Sequence, residues 1–308
     1  MNARLLETIR KSAAVPSMPQ VVMRFLEIMQ DPSFKYDELV RVLSTDVGTV
    51  SEVLRLVNSA LFGVRQKIVS LRQALTLLGP KRTRSLLLGR YLVDTMSKKK
   101  IAGLDMSYFW RRSLASSVAA SRFADKLMPR SRDEVFIAAL LADIGLPILA
   151  ETFPDKYKKI ASKYAPLGAE FTPENEIEMV EVSHPQVSAM IIKHWMLPDM
   201  VADAVNLSHS PAPGEGEAAS VARVLFASDR IGKLLCEVSD GDSAMRICHE
   251  ATAFIGLNIQ DLLAVLPSIE KDIEELAEAL RIDVIPSNVY TLIAKTMQDR
   301  LSVPAGAV

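Results

Sequence analysis

Apolar positions recur three and four residues apart along almost the whole chain, and no run alternates apolar and polar residues for long enough to predict a strand. The pattern therefore predicts an all-α fold. In the first third it predicts helices over 19–30, 36–44, 46–58, 70–78 and 81–95, joined by the short turns of packed helical domains. Val47, Val50, Leu54 and Val57 mark one buried face of the third of these, which ends at Asn58 and Ser59 before Gly63 breaks the chain. Leu71, Ala74, Leu75 and Leu78 draw a second face. Gly79 and Pro80 then close one helix and open the next, because proline suits a first helical position.

Beyond a basic connector, SKKKIAGL at 97–104, the pattern predicts a helix over 106–128 carrying Leu114, Val118, Phe123 and Leu127. A stretch from 134 to 149 is apolar on every side and is expected as one continuous helix in the middle of a bundle. Further helices are predicted over 153–164, 173–181, 185–195, 198–208 and 217–238, with SPAPGEGE at 210–217 as a loop. Residues 240–300 read as helical again, either capping the bundle or meeting a second copy of the chain, and the final SVPAGAV is expected to fray. The boundaries implied are an N-terminal helical subdomain over 1–97, a second over 105–238 and a C-terminal helical extension over 239–308. No internal repeat is visible.

A chain of 308 residues with 49% hydrophobic content can bury a substantial core. Its 36 basic and 37 acidic residues leave a net charge of -1, so no global field attracts nucleic acid or an anionic membrane. Cys236 and Cys248 lack C-x-x-C spacing and are expected as small buried hydrophobes in a reducing compartment. The N-terminal segment has Leu5, Leu6 and Ile9 on one amphipathic turn but no long apolar core, which points to a cytoplasmic protein with neither signal peptide nor membrane span. Lys81, Arg82, Arg84 and Arg90 form a basic strip, expected as an ordinary solvated helix face. Aromatic residues, which single-strand recognition would use, make up 6% of the chain, and nucleic acid is not an expected partner. Neither a phosphate-binding G-x-x-x-x-G-K-[ST] loop nor a G-x-S-x-G elbow is present.

Several blocks together carry a family resemblance. They are LRLVNS at 54–59, Phe62-Gly63, IVSL at 68–71, Ala74 to Gly79, the helix opening at Phe109, Trp110 and Ser113, AALLADIGLPIL at 138–149, and SHPQVSAMIIKHWMLP at 183–198. In these the chain resembles the HDOD family over roughly residues 15–235. The resemblance implies a bacterial signalling module with an HD-like helical bundle, related to the HD and HD-GYP metal-dependent phosphohydrolases, with signalling proteins as partners. Asn58, Ser59, Gly63 and Gly79 are then structural positions of the family motif.

The phosphohydrolase relatives hold metal through an early His, an adjacent His-Asp pair and a later Asp. Here the resemblance puts Arg112 at the early position and Ala142-Asp143 at the pair. A guanidinium offers only hydrogen-bond donors and alanine offers nothing, so two ligand positions are lost. Asp143, His184, His209 and Asp229 survive, with chemistry suited to zinc, iron or manganese. The expectation is nonetheless a degenerate, non-catalytic site without a cofactor, in which Arg112 pairs with Asp143 and the surrounding pocket could take an anionic small molecule. The alternative is a metal-dependent phosphohydrolase or cyclic-dinucleotide phosphodiesterase running on the residual set. Glu178 matches a family acid but stands in a glutamate-rich run expected to be solvated. His194 is expected as a satisfied core or boundary residue, and His249 carries no site.

Overall fold

The computed structural model describes residues 3–58, 64, 66–101, 103–158, 172–211, 214–237 and 241–282, together with 295, 296 and 299. Among the described residues no strand occurs, and the all-α expectation holds. Ser59, Phe62, Gly63, the second half of the helix expected over 153–164, and much of the chain beyond 282 lie outside the described residues.

The N-terminal layer comprises α1 (Ala3–Arg10), α2 (Gln20–Gln30), α3 (Tyr36–Leu43), α4 (Val47–Val57) and α5 (Leu71–Met96). Asp46 starts α4 by accepting a hydrogen bond from the Gly48 amide at 3.0 Å. The fully buried face of α4 is Val53, Leu56 and Val57; of the predicted stripe Val57 is buried, Val50 and Leu54 pack partly buried against the core, and Val47 is 78% exposed. A helix of three turns packed at one end leaves its first turn in solvent whatever its residue type. At the other end Asn58 donates to the Leu54 carbonyl at 2.6 Å and to the Ile68 carbonyl at 2.9 Å, and accepts from the Ile68 amide at 2.8 Å. One side chain thus ties the end of α4 to the chain returning towards α5. Within α5 the backbone leaves helical geometry at Gly79 (φ 75°, ψ 161°), a conformation open to glycine, so the expected break becomes a kink between two helical arms.

The second layer is the bundle proper: α6 (Met106–Leu127), α7 (Arg132–Leu141), α8 (Gly145–Thr152), α9 (Pro154–Tyr157), α10 (Pro173–Val180), α11 (His184–His194), α12 (Asp199–Leu207) and α13 (Glu217–Cys236). The central packing is α6 against α13 and α7, with α11 lying between α8 and α12. The stretch 134–149 is buried as its composition predicts, but it is two helices, not one. Residues 142–144 form a turn, and Asp143 sits in it. Helical periodicity cannot reveal such a break in a segment that is apolar all round. The region Pro129–Thr152 is long and apolar enough to cross a membrane, yet 83% of its most apolar window is buried inside the protein, as suits a core segment.

Finally α14 (Gly241–Phe254) packs on α13 and on α15 (Ile259–Leu280), and α15 reaches back across α6, α4 and α5. Of the basic strip on α5, Lys81 is exposed as expected of a solvated face, whereas Arg90 takes part in this packing. Arg90 is buried, pairs with Glu52 and Asp94, and donates to the Leu280 carbonyl at 2.9 Å. Arg82 meets Asp133 at 2.6 Å and Lys81 approaches Glu134 at 3.9 Å.

Candidate functional site

Two turns and a helix start bring the chemistry together. Asp143 lies in the turn between α7 and α8, and His209 lies in the turn after α12. His184 opens α11, where Pro185 follows it and the Ser183 amide donates to the Gln186 side chain at 3.0 Å. Gly145 lets α8 come this close to α11. A Cβ there would stand 2.1 Å from the His184 carbonyl oxygen, and the Gly145 amide instead donates to Ser188 Oγ at 2.8 Å.

The three side chains converge on one point. His184 Nε2 lies 3.0 Å from His209 Nε2 and 3.5 Å from Asp143 Oδ1, and His209 Nε2 lies 2.9 Å from the same Asp143 oxygen. Donors about 2.1 Å from a shared ion, at angles between a right angle and tetrahedral, stand roughly 3 to 3.4 Å apart. The triad fits one divalent transition-metal ion, held by Asp143, His184 and His209 as two imidazoles and a carboxylate. Without an ion, the two Nε2 atoms can face each other only with a proton between them.

Behind His184 stands a buried acid that neither the periodicity nor the family comparison of motifs picked out. Glu176, on α10, is 0% exposed although its neighbours Glu174 and Glu178 are solvated. Its Oε2 lies 2.6 Å from His184 Nδ1 and accepts from the His184 amide at 2.5 Å, while Oε1 accepts from the Tyr157 hydroxyl at 2.8 Å. A carboxylate only accepts, so His184 carries a proton on Nδ1. The chain makes this return through Glu181, which ends α10 in the left-handed region (φ 63°). A signal for Glu176 existed: Val180 lies four residues on and Met179 three, so of the three glutamates it shares the inward stripe.

Burial opposes charge on His184, but Glu176 and Asp143 outweigh it and raise its pKa to about 10. Burial likewise pushes the Asp143 carboxyl up, yet its hydrogen bonds to His184 and His209 hold it well below the usual carboxylate range. Burial and Glu176 keep the Tyr157 phenol protonated far above its ordinary range.

The remaining expected site residues form a separate unit. Arg112, on α6, is 4% exposed and grips Asp229, on α13, with two parallel hydrogen bonds: Nε to Oδ1 at 3.0 Å and Nη2 to Oδ2 at 2.7 Å. The expected Arg112 to Asp143 pair is therefore replaced by Arg112 to Asp229, because α6 packs along α13 while Asp143 faces the histidines. Ala142 contributes only its methyl group to a cleft of about 170 Å³, which Asp143, His209, Asp229, Phe226 and Arg230 also line. Arg230 stacks over the Phe226 ring at 4.1 Å at this cleft. Arg112, expected as the cation for an anionic ligand, is already engaged with a carboxylate. His194 is exposed rather than part of the core, with Arg10 Nη1 3.3 Å from its Nδ1. Cys248 is buried and Cys236 partly so, and burial pushes both thiols up to about 12.

The HDOD domain family model matches residues 15–211. An uncharacterized protein of Treponema pallidum (strain Nichols) is 24% identical over 212 residues, which cover 64% of this chain and 39% of that protein. The chain thus spans well under half the length of this relative. A crystal structure from Shewanella amazonensis, provisionally described as a phosphohydrolase, shares 18% identity with a TM-score of 0.71, covering 90% of this chain and 98% of that one. An HDOD domain protein of unknown function from Geobacter sulfurreducens shares 19% identity with a TM-score of 0.67, over 90% and 97% of the two chains. At these identities the likeness establishes the fold.

Proposed function

The chain belongs to the HDOD domain family, and from that premise we propose that it is a non-catalytic regulatory module of bacterial signal transduction, acting in the cytoplasm through protein partners or a small ligand. The observation that carries this reading is the Arg112–Asp229 pair. In metal-dependent hydrolysis of a phosphoester, the protein must present lone pairs to its ions and leave an open position for water. Here the early ligand position presents a guanidinium, which has no lone pair, stays positive at every working pH and already occupies the carboxylate of Asp229. Ala142 adds no donor. That half of the site offers a cation no net negative charge and few free lone pairs. The half formed by Asp143, His184 and His209 fits one ion, which when bound would supply a Lewis acid beside the cleft that Asp143 and His209 line.

The convergence of that triad favours a second reading, a phosphohydrolase or cyclic-dinucleotide phosphodiesterase running on one ion, in keeping with the description given to the Shewanella amazonensis protein. One assay separates the two. The purified chain is incubated with Mn²⁺, Zn²⁺ or Fe²⁺ and either bis(4-nitrophenyl) phosphate or a cyclic dinucleotide. No turnover above the metal-only blank is expected. Turnover that disappears in Asp143→Ala would establish the enzyme reading instead.

A further inference from the structure

We propose that Glu176, backed by Tyr157, is the positioning residue of a one-metal site formed by Asp143, His184 and His209: its carboxylate keeps the His184 proton on Nδ1, so that Nε2 presents its lone pair to a divalent transition-metal ion. The inference rests on the metal-holding half of the site described above. It concerns a residue that touches no ion itself.

The argument begins with cost. A carboxylate fully removed from water is strongly unfavourable unless its oxygens are matched by donors. Glu176 meets that condition completely, with Tyr157 on one oxygen and the amide and ring of His184 on the other. Merely anchoring α10 to the start of α11 would need only the backbone hydrogen bond. The ring contact at 2.6 Å does something more specific, since an imidazole whose Nδ1 is protonated can ligate only through Nε2. Nε2 is the atom that stands 3.0 Å from His209 Nε2 and 3.5 Å from Asp143 Oδ1. The Tyr157 hydroxyl fixes the plane of the carboxylate, and the left-handed turn at Glu181 returns the chain so that acid and histidine meet. A carboxylate behind a ligating histidine also makes the ring a stronger donor, and losing such a partner commonly weakens metal binding ten- to a hundredfold. Imidazole ligands favour zinc, iron, copper or nickel over magnesium and calcium.

The test uses the full chain and two metals, Zn²⁺ by calorimetry and Co²⁺ by its visible absorption. The wild type is expected to bind one zinc. Glu176→Gln keeps hydrogen-bonding capacity but removes the charge, and should bind zinc about tenfold more weakly. Glu176→Leu combined with Tyr157→Phe removes the acceptor and its donor together and should lose up to about a hundredfold. In the zinc-loaded wild type, ¹⁵N NMR of the His184 ring should show Nδ1 protonated and Nε2 coordinated. In the double variant the coordinated nitrogen becomes mixed and the Co²⁺ spectrum changes. A purely structural role for Glu176 would shift melting temperature and leave these spectroscopic readouts unmoved. If the double variant does not fold, Glu176→Gln decides. Zinc affinities within twofold of wild type, with unchanged ring assignments, would overturn the role of Glu176 while leaving the metal site standing. A wild type that binds no zinc would overturn both, and would leave the non-catalytic reading to the hydrolysis assay.

Discussion

The two halves of the site are built from the same kinds of residue on the same bundle, yet they solve the burial of charge in opposite ways. On one side Asp143, His184 and His209 turn their donor atoms toward a common point, and Glu176 stands behind to hold one ring in register. On the other side Asp229 is neutralised by Arg112 through a two-pronged contact that leaves little lone-pair capacity directed at the cleft. The first arrangement is poised between a shared proton and a shared cation. The second is self-contained, with its cation covalently supplied. The difference assigns stability chiefly to the arginine half and ligand response to the histidine half.

The strongest way to break that division is to remove Arg112. Arg112→Ala strands the Asp229 carboxylate and leaves a cavity between α6 and α13. Stranding a buried partner costs about 3 to 5 kcal/mol, and partial exposure of Asp229 places the expected loss at the low end, about 3 kcal/mol. Denaturant unfolding of the metal-free protein measures it. The zinc-induced rise in melting temperature should survive in this variant; its disappearance would show that the halves act as one unit. Gly145→Ala attacks the other half. The added methyl must push α8 away from α11, at a cost of about 2 kcal/mol, and here zinc binding should weaken as well because His184 moves with the start of α11. Stability loss without any change in zinc affinity would mean that the triad tolerates displacement and is not preorganised.

Much of this was open to a reader of the sequence. The kink at Gly79-Pro80 and the clamp residue Asn58 follow from local chemistry: one residue can take φ above zero, another can cap a chain end. The family resemblance likewise points to Asp143, His184, His209 and Asp229. What stayed hidden depends on which elements touch. Pairing Arg112 with Asp229 requires knowing that α6 lies along α13, and neither residue carries a local sign of it. The break at 142–144 was masked by its own apolarity, although that break is what frees Asp143 from a helix and turns it to the histidines. Glu176 was hidden among other glutamates, two of which are solvated as their composition suggests.

The pH dependence of stability sharpens the comparison further, because two buried groups of the histidine half, His184 and Asp143, carry shifted pKa values. His184 rises from 6.5 to about 10 on folding, so its contribution is complete below about pH 6.5 and is lost as pH climbs towards 10. Asp143 is lowered from 3.8, so its contribution is present above that value and is lost in stronger acid. Metal-free protein should therefore be most stable between roughly pH 4 and 6.5 as far as this pair decides, with a decline above that range of at most about 1.4 kcal/mol per pH unit. His184→Gln should flatten the alkaline decline. A decline of the same steepness in that variant would place its origin elsewhere in the chain.

The smallest expected effect comes from Asn58, which belongs to neither half. Asn58→Ala removes two donated hydrogen bonds and one accepted one, and leaves the Ile68 amide and carbonyl to find water at a half-exposed position. Because that position is not sealed, the cost should be about 1 kcal/mol rather than the full penalty of a buried unpaired group. Hydrogen exchange should localise the loosening to the end of α4 and the start of α5. Zinc affinity and the alkaline decline should both match wild type. If either shifts, the N-terminal layer is coupled to the triad, and the route to examine is α15, whose Leu280 carbonyl meets Arg90 of α5 while its body lies against α6.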